Sequence, residues 1–273
     1  MKRMIFLSVC LLMMACSTKS YVIVQVADAQ LGFDAAVKGS VPGAEYVNDL
    51  TFEVECLKAT VAKINEIKPD MVVFTGDQVH LPYDKEQWEA FLKEVAAIDP
   101  SIEQCHLPGN HDHILKDGTA DPQDFIDRFG ADRFAVKKKG LNVIGINTSL
   151  IYFNSALEQD QQVWLEETLE NTKAEEVTLI FGHHPFFCEN IDEEDSHVQI
   201  TKAKRLQYFD YFRSKGVDAV FAGHLHENSA GEYEGIPMLT TTSSGYQLGS
   251  AVASVRVITV KDGKMSEELV PVR

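Results

Sequence analysis

The chain has 273 residues, which fits one large α/β domain or two small ones, and its 45% of hydrophobic residues can supply a sizeable core. Its formal charge of −16 repels nucleic-acid backbones, so a nucleic-acid partner is not expected. No fixed-period repeat, low-complexity tract or Pro/Gly/Ser-rich linker breaks it up, which excludes repeat arrays and favours a single domain.

The first residues read as a leader. Met1 to Arg3 is a basic head, and Met4 to Ala15 is an apolar run too short to cross a bilayer as a stable helix. Small residues follow at Ala15, Cys16 and Ser17, so residues 1–15 have the form of a secretory signal. The ending Met13-Met14-Ala15-Cys16 resembles a bacterial lipobox, whose cysteine is lipidated and heads the mature chain. The expectation is an exported cell-envelope protein, lipid-anchored to a membrane through Cys16 and facing the periplasm or the exterior. A tether over 16–20 then joins it to a domain over 21–273. An ordinary secreted protein and an uncleaved anchor are the alternatives. Cys56, Cys105 and Cys188 are odd in number and lack metal spacing, so free thiols are expected. A monomer is expected.

In chain order, strands are predicted at Tyr21–Ala27, Met71–Thr75, Asn142–Asn147, Val177–Phe181 and Asp218–Ala222. A β-rich tail covers Pro237–Ser243, Ala251–Val260 and Met265–Val272. Helices are predicted at Phe52–Ile67, Glu86–Ile98, Asp160–Leu169 and Ala203–Lys215. The first of these repeats apolar residues at Val54, Leu57, Val61, Ile64 and Ile67. Strands alternating with helices, then a run of strands, imply a mixed α/β fold with two sheets.

Five strand-like runs end in metal-ligand residue types. They deliver Asp28, Asp77, Asn110 with His111, His183 with His184, and His224-Leu225-His226. Sites in α/β sheets form outside the carboxyl ends of the strands, so these groups can meet at one spot. Gly76, Gly109, Gly182 and Gly223 precede four of them and are expected to permit a sharp turn there. His224 and His226 are two residues apart, which in an extended segment puts both on one face. Carboxylates can bridge two cations, imidazole suits Zn, Fe or Mn, and an amide oxygen is a hard neutral ligand. Two cations about 3.5–4 Å apart can activate water and clamp a phosphoryl group.

The blocks Gly76-Asp77, Gly109-Asn110-His111-Asp112, His183-His184-Pro185 and Gly223-His224-Leu225-His226, in that order, resemble those of calcineurin-like metallophosphoesterases. The resemblance covers nearly all of the chain after the leader. It implies a two-sheet sandwich of mixed β-sheets flanked by helices, with two divalent or trivalent metal ions (Mn, Fe or Zn) at its edge. It also implies that Asp77 bridges the metals, that Asp28 and His226 hold the first, and that Asn110, His183 and His224 hold the second. His111 would contact the phosphate and protonate the leaving oxygen, with Asp112 orienting it. The first family block is commonly Asp-x-His, whereas this chain has Asp28-Ala29-Gln30. An Asp-x-Gln subfamily of calcineurin-like phosphoesterase domain-containing serine/threonine phosphatases is similar, and Asn147-Thr148-Ser149, Glu189–Asp195 and Gln247-Leu248-Gly249 also fit it. Gln30 is therefore expected to be a ligand with a harder donor atom.

Taken singly, these residues have duller readings. An Asp after a strand is often a helix cap, and a strand-end His is more often a hydrogen-bonded residue than a ligand. His80 could line the cleft and His184 could support the ligands. His106, His113 and His197 read as structural or exposed. Glu189–Asp195 reads as a solvated loop, or as a lid over the site. The implied activity is hydrolysis of a phosphomonoester by a hydroxide held between the metals. The alternatives are a phosphodiesterase acting on lipid head groups or cyclic nucleotides, and a non-catalytic binding protein of the same fold.

Overall fold

The computed structural model describes residues 20–116 and 119–273; the expected leader and Cys16 lie outside them. Among the described residues no helix is long and apolar enough to cross a membrane.

Two sheets form the centre. The first orders its strands β13 (Lys264–Pro271), β12 (Ser254–Lys261), β1 (Tyr21–Val26), β2 (Met71–Thr75) and β3 (Glu103–Leu107). β1, β2 and β3 run parallel, and β12 pairs antiparallel with both β1 and β13. The second sheet orders β10 (Ser229–Tyr233), β11 (Ile236–Thr240), β9 (Ala219–Ala222), β8 (Val177–Phe181), β7 (Leu141–Gly145) and β6 (Phe134–Lys138). Its four inner strands are parallel and its two edge strands antiparallel. A small hairpin pairs β4 (Ile114–Lys116) with β5 (Thr119–Asp121).

The sheets face each other across a core of Ile23, Val73, Leu107 and Ile258 from one and Val143, Leu179, Phe181 and Phe221 from the other. Helices α2 (Thr51–Ile67), α3 (Lys85–Val95) and α4 (Gln123–Phe129) cover the outer face of the first sheet, packing Leu57, Ile64, Phe91 and Phe125 on Val24 and Phe74. Helices α6 (Glu158–Glu170) and α7 (Lys202–Ser214) cover the second, packing Leu165, Phe209 and Phe212 on Ile144, Ile180 and Val220. This is the expected helix-flanked two-sheet sandwich. Strands β2, β7, β8 and β9 are covered on both faces, which is why they read as continuous apolar runs.

The predicted long helices and apolar strands recur within a few residues of the expected bounds. The edge strands β6 and β10, the hairpin, α4, and the short helices α1 (Phe33–Gly39) and α5 (Thr148–Tyr152) were not predicted. Cys56, Cys105 and Cys188 are free, the first two buried.

The acidic stretch Glu189–Asp195 is the expected solvated loop, exposed at Glu189, Asn190, Asp192, Glu194 and Asp195, and it is anchored from within. The Glu193 carboxylate accepts from the backbone amides of Cys188 at 2.6 Å and Glu189 at 3.1 Å. Arg205 of α7, fully buried, donates to the Glu193 carbonyl and lies 3.6 Å from the Asp195 carboxylate. The stretch is folded on itself around one arginine.

Candidate metal centre

All five ligand-bearing blocks leave carboxyl ends of parallel strands: β1, β2 and β3 in the first sheet, β8 and β9 in the second. The site therefore straddles the seam between the sheets. A parallel bridge between Ala27 and Ser243, together with the Ser244 amide donating to the Ala27 carbonyl at 2.9 Å, ties the two sheets there.

The turns are built differently from the expectation. Of the four glycines, only Gly76 has a left-handed backbone, at φ 93°. The others are close-approach positions. A Cβ at Gly109 would fall on the Asp77 carboxylate, one at Gly182 on the Thr148 methyl, and one at Gly223 2.6 Å from an Asp28 oxygen. The left-handed conformations sit on the functional residues themselves: Asp28 (φ 51°), Gln30 (37°), Asp77 (50°), His224 (74°) and His226 (53°). Such conformations cost about 1–3 kcal/mol each and persist only where the surroundings impose them. His224 and His226 thus reach the site through two left-handed turns, not from an extended segment as expected.

Around His183, donor atoms converge. Its Nε2 lies 3.0 Å from Asn110 Oδ1, 3.2 Å from His224 Nδ1 and 3.3 Å from Asp77 Oδ2, while Nδ1 meets the Thr75 carbonyl at 2.9 Å. Asp28, Asp77 and His183 offer ligand atoms within 4.8 Å of one another. On the other side, His226 Nε2 lies 3.5 Å from Asp28 Oδ1, with its Nδ1 held by the Tyr246 carbonyl at 2.6 Å. Asp28 also accepts from the His224 amide at 2.9 Å. The Gln30 amide donates to the Asp77 carbonyl at 2.8 Å, and its buried Oε1 has no hydrogen-bond partner.

This donor set fits cations. Carboxylates, an amide oxygen and imidazoles crowd together, and these are the donor types that hold divalent ions. Burial opposes charge on His183, yet the Asp77 carboxylate outweighs it and lifts this imidazole to about 9. Burial also works against ionised Asp77, but His183 and His111 pull it below the usual carboxylate range. His224 is pushed down to about 3 by burial and by the charge of His183, which leaves it a neutral lone-pair donor. The backbone carbonyls of Thr75 and Tyr246, which orient His183 and His226, carry no side-chain signal in the sequence.

His111 lies beside this cluster. Its amide donates to Asp77 Oδ1 at 2.8 Å, and its Nδ1 meets the His80 carbonyl at 2.9 Å. The rings of His80 and His111 stack at 4.7 Å, which puts His80 beside the cluster. The expected pairing of Asp112 with the His111 ring is not made. Asp112 instead accepts from the amides of Gly109 (2.8 Å), Gln78 (3.0 Å) and Val79 (3.3 Å), pinning the loop that carries Asn110 and His111 to the loop after β2. Three backbone amides hold that carboxylate, and the His111 ring is held by the His80 carbonyl instead.

Among the other histidines, His106 is sandwiched between Phe74 and Phe129, and His113 is buried between the Asp121 carbonyl and Asn147. Both are structural. His184 packs against the cluster at 4.5 Å from the His224 ring.

The family model described as calcineurin-like phosphoesterase matches residues 22–228. The serine/threonine-protein phosphatase CPPED1 of Rattus norvegicus is 30% identical over 224 residues, covering 78% of this chain and 72% of that one. A probable glycerophosphodiester phosphodiesterase, GpdQ of Arcobacter nitrofigilis, is 26% identical over 194 residues, covering 69% and 68%. A dimetal phosphatase from Danio rerio superposes with a TM-score of 0.62 at 14% identity, covering 93% of this chain and 99% of that one.

Proposed function

The chain belongs to the calcineurin-like phosphoesterase family and is a hydrolase of phosphoric esters, and on that premise we propose that it is a two-metal phosphatase acting on a phosphomonoester. The observation that carries the reading is the convergence of Asp77, Asn110, His183 and His224 around one point, with Asp28 and His226 beside it.

The family typically binds two metal ions. Asp28, Gln30, Asp77 and His226 would hold the first, and Asp77, Asn110, His183 and His224 the second. When bound, such a pair supplies Lewis acidity toward phosphoryl oxygens and lowers the pKa of water. The residues of the chain do the rest. Asp77, fixed by the His111 amide, keeps two donor groups in register. His111, with Nδ1 against the His80 carbonyl, presents its other nitrogen to the leaving oxygen and gives it a proton. Asp112 positions His111 through the backbone, not through its ring.

Turnover of p-nitrophenyl phosphate against its bis ester, with Mn²⁺ added, tests the proposal. Preferential cleavage of the monoester is expected. Preference for the bis ester would favour the phosphodiesterase reading, which the GpdQ relative supports. Turnover of neither would leave a binding protein.

The buried, unpartnered Gln30 Oε1 supports a ligand role for this residue. An amide oxygen is harder and less basic than imidazole nitrogen, so the first position should prefer Mn²⁺ or Mg²⁺ over Zn²⁺. Gln30→His is expected to tighten Zn²⁺ at that position without abolishing hydrolysis. Zn²⁺ titration of the metal-free variant checks it, and unchanged affinity would count against the role.

The lipobox resemblance supports anchoring through Cys16. Cys16→Ser is expected to release the protein from the membrane fraction or leave it unprocessed. Unchanged gel mobility with unchanged membrane association would overturn the anchor.

A further inference from the structure

We infer that His184 is a metal ligand, a third imidazole at the position shared by His183, His224, Asp77 and Asn110. This rests on the metal-binding part of the reading above and goes beyond its ligand set.

His184 is 1% exposed, and neither ring nitrogen has a hydrogen-bond partner. Leaving a buried polar group unpaired is costly, so an imidazole with two such atoms is waiting for something. The surroundings indicate what. His183, His184 and His224 each offer a ring nitrogen, and the three atoms lie within 4.8 Å of one another. Their ring centroids stand 5.0 Å (His183–His184), 4.5 Å (His184–His224) and 5.0 Å (His183–His224) apart. Nitrogens bound to one Zn²⁺ at about 2.0–2.1 Å must be separated by no more than roughly twice that length, so a small inward shift brings three onto one ion.

The placement is also built. One hydroxyl, Thr148 Oγ1, accepts from the backbone amides of both His183 (2.9 Å) and His184 (2.8 Å) and so fixes the consecutive pair. Tyr152 stacks on the His184 ring at 4.2 Å and 10°, which sets the ring plane without using either nitrogen. A water would pair with one nitrogen of one ring, whereas a cation is bound by all three imidazoles at once, one nitrogen from each.

The two metal positions then differ in kind. The first is rich in oxygen through Asp28, Gln30 and Asp77. The second gains a third nitrogen and should select the later, softer metal. Reconstitution of the metal-free chain with equal Zn²⁺ and Mn²⁺ is expected to give one of each per chain.

His184→Phe keeps the stack on Tyr152 and removes both nitrogens. In protein loaded with a single Zn²⁺, X-ray absorption at the zinc edge should count three imidazoles in the natural chain and two in the variant. Equilibrium dialysis should show Zn²⁺ binding weakened by at least about 10–100-fold, the effect already known for residues that only support ligands. An equal imidazole count in the two proteins overturns the inference even if affinity falls, because that is how a mere support behaves. Should the variant not fold, a zinc-bound crystal structure of the natural chain decides: a His184 nitrogen at bonding distance sustains the inference, and a nitrogen paired with water or left free overturns it. Neither measurement reads hydrolysis. A chain that binds Zn²⁺ through three imidazoles but cleaves no ester would sink the phosphatase reading and leave this one standing.

Discussion

Asp77→Asn is expected to empty both metal positions and to reduce turnover by more than the ~10²–10⁴-fold that a general acid is worth. Asp77 is 2% exposed at the end of β2, with one oxygen 3.3 Å from His183 Nε2 and the other accepting the His111 amide at 2.8 Å. Its carboxylate stands between two donor groups, and two cations held there repel each other unless a negative charge lies between them. An asparagine keeps the shape and can still accept the His111 amide, so the loop should stay in place. It cannot supply the charge. The metal-free variant should melt lower than the metal-free natural chain, because there the carboxylate pairs with the His183 imidazole 3.3 Å away, and removing one partner of a buried pair leaves the other uncompensated. Metal content by mass spectrometry and p-nitrophenyl phosphate turnover check the expectation together. A variant retaining two metals and a near-normal rate would remove Asp77 from the bridging position.

His111→Ala separates chemistry from metal binding. The ring is not among the groups whose nitrogens converge on His183, and its Nδ1 is engaged by the His80 carbonyl. Its backbone amide, which holds Asp77, survives the substitution. Both metals should remain bound while turnover falls ~10²–10⁴-fold. The loss should be smallest for esters whose leaving group needs no proton, so p-nitrophenyl phosphate should suffer less than an alkyl phosphate. If metal content fell along with activity, His111 would belong to the ligand set and its assignment as the acid would be wrong.

The parts of this molecule that could be read from its sequence are those where one residue type has one physical use. Met71–Thr75 and Val177–Phe181 are continuous apolar runs because both faces are covered, and they fall where predicted. Edge strands such as Phe134–Lys138 alternate half-buried and exposed residues and include two lysines, so no apolar run marks them. The helix Thr148–Tyr152 is too short to show a period. At the site, residue types at strand ends could be read, but backbone conformation could not. Nothing in Gly223-His224-Leu225-His226 announces two left-handed histidines. The partners of Asp112 are amides, which every residue possesses, so its true contacts left no mark either.

The seam between the sheets has a consequence for residues far from any metal. Asp28, Asp77 and Asn110 ride on one sheet, and His183, His224 and His226 on the other. The gap between the two ligand halves is therefore gauged by the layer of side chains that keeps the sheets apart. Phe181 and Phe221, stacked at 5.0 Å with an interplanar angle of 19°, are spacers in that layer one and two residues before the ligand-bearing turns begin. Packed interiors transmit strain and do not absorb it. Thinning the spacers would let the halves of the clamp close or slide, changing the distance between the two cations while every ligand remained present. The interior of this sandwich is, in that sense, the calliper that sets its chemistry.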